Sequence, residues 1–98
     1  MTSKQRACLK GMAMTMEPVA QIGKASLTDE GLNGVEEALE ARELIKIAVL
    51  KNCDGDVRMI ADTIAERLHG EVVQVIGRKI VLYRPARQKE KRRIVLPQ

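Results

Sequence analysis

The chain has 98 residues and a net charge of +4, with no Trp, no Phe and a single Tyr. That length fits one small domain with a thin core, and the scarcity of aromatics excludes a sheet that reads bases by aromatic stacking. No apolar run approaches the roughly 18 residues of a membrane span, and the opening Met1-Thr2-Ser3-Lys4-Gln5-Arg6 leads into no signal-peptide core, so the expected location is the cytoplasm.

Ser3 is the expected N-cap of a first helix, in which Leu9, Met12, Ala13 and Met16 recur at helical spacing before Pro18. Val19-Ala20-Gln21-Ile22 reads as a short strand and Gly23-Lys24-Ala25-Ser26 as a loop. Thr28 or Ser26 caps a second helix with Asp29 and Glu30 in its first turn, where the helix dipole favours them. Leu32, Val35 and Leu39 form its apolar stripe, and Glu36, Glu37 and Glu40 its solvent face. Leu44 to Leu50 is an internal strand interrupted by Lys46, and Asn52-Cys53-Asp54-Gly55 is a turn. Val57, Ile60, Ala61, Ile64 and Leu68 mark a third helix that stops at His69-Gly70, with Gly70 as the left-handed terminating residue. Val72 to Ile76 and Ile80 to Tyr83 form a hairpin through Gly77-Arg78-Lys79, and Pro85 ends the last strand.

The expected fold is therefore α/β, a two-layer sandwich of α-β-α-β-α-β-β order with a four-stranded mixed sheet. Its βα crossovers make neighbouring strands parallel, and its final hairpin is antiparallel. Residues 1–85 form one domain, and residues 86–98 form a basic tail expected to stay mobile until it meets a polyanion.

Charge is distributed unevenly. Residues 1–28 carry four basic side chains against one acidic, residues 29–71 five against eleven, and residues 72–98 eight against one. If folding brings the two ends together, that side attracts polyanions. The candidate contacts are Lys4, Arg6 and Lys10 of the first helix, the Gly23-Lys24-Ala25-Ser26 loop, and Arg78, Lys79, Arg84, Arg87, Lys89, Lys91, Arg92 and Arg93. At the loop, a glycine and small residues permit close approach of a nucleic-acid backbone, and the N–H groups of the following helix can meet phosphates. From spacing alone an ordinary βα turn is the simpler reading, as a solvated tail is for the C-terminal charge run.

Other candidates read as structural. His69 sits at a helix end, where the dipole favours it. Asp54-Gly55-Asp56 lacks the later glutamate of a calcium loop. Cys8 and Cys53 form no C-x-x-C pair and are expected to be separate thiols. Glu36, Glu37 and Glu40 are better placed as a helix face than as a metal cluster. No catalytic set, cofactor motif or small-molecule site is expected. The exposed glutamates leave one rival reading, a protein adaptor that docks a basic ribosomal protein through its acidic helix face.

Several blocks match a known family in order. Lys4-Gln5-Arg6 with Leu9-Lys10-Gly11, Pro18-Val19-Ala20-Gln21-Ile22-Gly23-Lys24, Leu27-Thr28, Glu43-Leu44-Ile45-Lys46, and the run from Val73 through Gly77-Arg78-Lys79 to Arg84-Pro85 resemble the CRM domain, named for chloroplast RNA splicing and ribosome maturation. Its single-domain bacterial members are the YhbY-type proteins. The resemblance implies a fold similar to the C-terminal domain of bacterial translation initiation factor three. It also implies an RNA partner, ribosomal RNA in precursors of the large subunit. The family's G-x-x-G loop, thought to contact RNA, maps onto Gly23-Lys24-Ala25-Ser26, with Ser26 in place of the last glycine.

Overall fold

A computed structural model describes residues 1–24 and 27–98. In chain order the elements are α1 (Ser3–Ala13), β1 (Ala20–Ile22), α2 (Asp29–Arg42), β2 (Leu44–Val49), α3 (Val57–Leu68), β3 (Glu71–Ile76), β4 (Lys79–Tyr83) and a 3-10 turn at Lys89–Lys91. The α/β class, the element order and the four-stranded mixed sheet are those expected.

Each helix start has a side-chain cap. Thr2, one residue ahead of the expected Ser3, closes a capping box: its hydroxyl accepts from Gln5 N at 3.1 Å, and Gln5 Oε1 accepts from Thr2 N at 3.1 Å. Thr28 accepts from Gly31 N at 3.0 Å, and Asp56 accepts from Met59 N at 3.1 Å. The alternative cap, Ser26, lies outside the described residues. At the end of α3 the left-handed residue is His69, at φ 58° and ψ 39°, not Gly70. Gly70 is small for a different reason: a Cβ there would lie 3.3 Å from the Tyr83 carbonyl.

The strand order is β1-β2-β4-β3. β1 and β2 are parallel, while β4 runs antiparallel to β2 and to β3. The expected parallel neighbours β2 and β3 are thus separated by β4. Burial explains the insertion. Ile80, Val81, Leu82 and Tyr83 are buried in succession, which needs cover on both faces, whereas β3 has only Val73 fully buried and carries an irregularity at Val72/Gln74 suited to an edge. The hairpin turn contracts to Gly77 and Arg78, with Gly77 at φ 57°, a conformation glycine adopts without penalty.

The sheet is covered by helices on both faces, so the molecule has three layers where two were expected. Ile45, Ile47, Val49, Ile80 and Leu82 pack beneath α2 and α3 against Val35, Leu39, Ile60 and Ile64. On the other face Leu44, Val73, Val81 and Tyr83 receive Leu9 and Ala13 of α1, with Ile94 and Leu96 from the C-terminal segment. The segment expected to be mobile is therefore packed, and both chain ends lie on the face away from acidic α2. Gln5 Nε2 donates to the Pro97 carbonyl at 3.0 Å and ties the two ends together.

Candidate nucleic-acid interface

The loop after β1, the turn after β2 and the β3–β4 hairpin meet at one end of the sheet. Leu50 N donates to the Ile22 carbonyl at 2.8 Å, and Val49 N donates to the Arg78 carbonyl at 2.7 Å. Arg78 is half-buried in this joint. Its Nε donates to the Val49 carbonyl at 3.0 Å, and its Nη2 to the carbonyls of Leu50 at 2.7 Å and Cys53 at 3.1 Å. The guanidinium expected to meet phosphate instead braces the turn that supports the loop. Lys24, Lys51 and Lys79 are exposed around it, without an ion-pair partner among the described residues.

A cleft of about 250 Å³ opens at the loop, lined by Gly23, Lys24, Thr28 and Gly31 among others. Gly23 is not forced to be glycine by its backbone: a Cβ would make ordinary contacts with Leu50 Cδ1 at 3.7 Å and Asn52 Oδ1 at 3.8 Å. Thr28 already satisfies one N–H of α2, and Asp29 and Glu30 add negative charge in the first turn. Cationic recognition at this end therefore falls to the lysines more than to the helix start. Ala25 and Ser26 lie outside the described residues.

The same rim continues onto the face that carries α1. Lys10 of α1, Lys46 of β2 and Lys79 of β4 border the part of the sheet that α1 leaves uncovered. Lys4 is exposed on the same helical stripe as Ala7 and Gly11. Arg6 turns inward, its Nη1 donating to the carbonyls of Val72 at 2.6 Å and Val73 at 2.9 Å, where the edge strand is irregular. It holds α1 to the sheet and leaves the surface to its neighbours.

The remaining candidates lie at the far end of α2, a helix of 14 residues and so about 21 Å long. Arg84 is 4 % exposed. Its Nη1 bonds Glu36 and the Leu68 carbonyl, the latter at 3.1 Å, and its Nη2 bonds Glu40 at 3.3 Å. This corrects the expectation of a surface arginine: its charge is neutralised inside the fold. Arg87 pairs with Glu36 at 3.4 Å. Glu36 and Glu40 are half-buried, so the acidic face expected on α2 keeps only Glu37 exposed.

Two carboxylates hold the C-terminal segment. Glu40 accepts the backbone N–H of Arg87 at 2.8 Å and of Gln88 at 3.0 Å. Those bonds, with the Arg84 and Lys91 charges, outweigh burial and hold its pKa below 4.5. Glu43 is 1 % exposed and accepts N–H bonds from Ala86 at 2.8 Å, Arg93 at 2.6 Å and Ile94 at 3.0 Å. Burial alone would raise its pKa, but the three N–H bonds and the Arg92 charge lower it. Arg92 is further tied by its Nε to the Ala86 carbonyl at 2.7 Å. It is nonetheless exposed, and with Lys89, Lys91 and Arg93 it forms a second cationic patch, separate from the lysine rim.

The predicted cations thus divide three ways: Lys24, Lys79, Lys10 and Lys4 with the α1 face and rim, Lys89, Lys91, Arg92 and Arg93 with the tail patch, and Arg6, Arg78 and Arg84 in internal bonds, while Arg87 is exposed but paired with Glu36. The sequence reading missed Lys46, Lys51 and Glu43. A signal existed for Lys46: a lysine inside an apolar strand run marks a strand face left open to solvent at that height.

Comparison with known proteins places these features in context. The family model described as the CRS1 / YhbY (CRM) domain matches residues 1–84. The Bacillus subtilis (strain 168) Probable RNA-binding protein YqeI is 40 % identical over 97 residues, covering 99 % of both chains. An RNA-binding protein of Haemophilus influenzae is 36 % identical over 97 residues, covering 99 % of this chain and 95 % of its own. The solution structure of a Staphylococcus aureus protein proposed to bind RNA superimposes with a TM-score of 0.79 at 37 % identity, covering 99 % of both chains.

Proposed function

The chain belongs to the CRS1/YhbY (CRM) domain family, and from that premise we propose that it is an RNA-binding protein that assists assembly of the large ribosomal subunit in the cytoplasm. It acts by binding and not by catalysis, and its partner is ribosomal RNA in subunit precursors. One observation carries the reading. Lys10, Lys46 and Lys79 gather on the α1 face, Lys24 and Lys51 continue the rim, and the α2 carboxylates lie on the far side of the sheet. Such polarity orients the molecule toward a phosphate backbone. The Gly23-Lys24-Ala25-Ser26 loop contributes chiefly through Lys24. Lys89, Lys91, Arg92 and Arg93 add a second, sequence-independent contact to the same RNA. The adaptor reading finds less support, because Glu36 and Glu40 are engaged by Arg84 and the C-terminal backbone.

A filter-binding titration against a structured ribosomal RNA fragment across salt tests the proposal. Affinity should fall steeply with salt, and Lys24→Glu with Lys51→Glu should lower the salt slope by about two and the affinity by roughly tenfold or more. Binding that ignores salt, or a double variant with unchanged affinity, removes the rim from the interface. Sedimentation with large-subunit precursors in a sucrose gradient tests the assembly role; a chain that stays at the top of the gradient contradicts it.

A further inference from the structure

α1 covers only part of its sheet face. Beside it runs an open groove of about 580 Å³, with Lys10 and Gly11 on the helix wall, Val81 in the floor and Gln74 on β3. Lys46 and Lys79 border it as well. Met14 and Ile76, at its lip, are 80 % and 60 % exposed, large apolar groups left in solvent. No carboxylate lines the groove among the described residues.

We infer that this groove seats one unpaired nucleotide of the bound RNA, its base against the apolar floor and its flanking phosphates on Lys10, Lys46 and Lys79. The inference rests on the RNA-binding reading and adds to it a preference for unpaired residues. Three neighbouring ammonium groups repel one another and favour a ligand with several anionic charges. The apolar floor favours a flat body with little charge. Gln74, the one neutral polar side chain in the lining, offers both donors and an acceptor, as a base edge requires. A nucleotide combines these properties, and the volume falls within the range of roughly 300–1,000 Å³ that small-molecule sites span. Continuity with the rim decides for RNA over an acidic peptide: Lys79 belongs to both surfaces, so a strand on Lys24 and Lys51 can continue into the groove. Aliphatic and thioether groups here take the place of the aromatic platforms that other RNA-binding sheets use.

Gly11 supplies the test. It is exposed on α1, and a Cβ there would meet nothing within 4 Å. Gly11→Leu therefore fills the mouth of the groove without a backbone clash and raises helix propensity. The full-length chain is titrated by fluorescence anisotropy with two RNA hairpins, identical except that one carries a single unpaired adenosine. The wild type should bind the unpaired hairpin about tenfold more tightly, the gain expected from burying roughly 60 Å² of apolar surface. Gly11→Leu should abolish that difference and leave affinity for the fully paired hairpin unchanged, with thermal unfolding confirming the fold. Lys24→Glu should weaken binding to both hairpins alike. Equal wild-type affinity for the two hairpins overturns the inference while leaving RNA binding intact, as does a preference that survives Gly11→Leu. Wild-type binding to neither hairpin overturns the RNA-binding reading itself. If Gly11→Leu converts a dimer to a monomer in sedimentation with RNA binding unchanged, the groove holds a second copy and the inference fails.

Discussion

Glu43→Ala should cost about 3 kcal/mol of stability, since hydrogen bonds to a charged group contribute roughly 1.5–3 kcal/mol each and freed N–H groups can recover part of this from water. For a domain of this size that corresponds to a fall in Tm of roughly 15 °C. The carboxylate binds three backbone N–H groups of residues 86, 93 and 94, and no other side chain takes them. Losing it releases Ile94 and Leu96 from the cluster around Leu9 and Tyr83. Glu43 also stands at φ 66° and ψ −43°, a positive φ that a side chain rarely adopts. Glu43→Gly should therefore recover about 1 kcal/mol of the loss and no more. That difference separates backbone strain from the anchoring bonds. Acid should reproduce the release. Glu43 and Glu40 titrate below 4.5 in the folded chain, so their contribution is present above that pH and is lost as pH falls through the depressed folded values. Amide exchange at Arg93 and Ile94 should accelerate over that descent in the wild type. In Glu43→Ala it should already be fast at neutral pH.

Arg84→Ala should destabilise the fold by about 2–3 kcal/mol, below the cost of breaking a fully buried pair because Glu36 and Glu40 retain partial contact with water. The variant leaves two neighbouring carboxylates without their shared cation and removes the bond to the Leu68 carbonyl that joins β4 to the end of α3. Arg84→Lys should rescue only part of the loss, because an ammonium cannot hold both glutamates and the carbonyl in one planar arrangement. RNA affinity per folded molecule should stay within about twofold and the salt slope should not move, whereas removing a cation that neutralises a phosphate would lower that slope by about one. Thermal unfolding and the salt titration together decide this. An Arg84→Ala variant of normal stability and weak RNA binding would return the arginine to the interface.

The difference between Arg84 and its neighbours could not be read from composition. Arg84 opens a run in which cations are closely spaced, and nothing local separates it from Arg87 or Lys89. Its role depends on Glu36 and Glu40, more than forty positions away. The same holds for Glu43, whose partners lie between 43 and 51 residues downstream. The span of helix α3, in contrast, was legible, though its left-handed end residue was not, because its apolar stripe at helical spacing depends only on neighbours. The strand elements were legible too, but not their order. The apolar succession Ile80-Val81-Leu82 carried the information that β4 is central, and the usual adjacency of strands joined by a crossover masked it. At the candidate site the lysines were visible one by one. Their division into a rim and α1 face on one side and a tail patch on the other came from where α2 begins and ends.

Amide perturbation mapping by NMR, with a structured ribosomal RNA fragment added to the full-length chain, tests the cationic α1 face most directly. Shifts concentrated at Lys10, Lys24, Lys46, Lys51 and Lys79, fading as salt is raised, are the predicted result. Shifts centred on the exposed side of α2 and α3, around Glu37, Arg58 and Glu66, with the lysine rim unperturbed, would contradict the account.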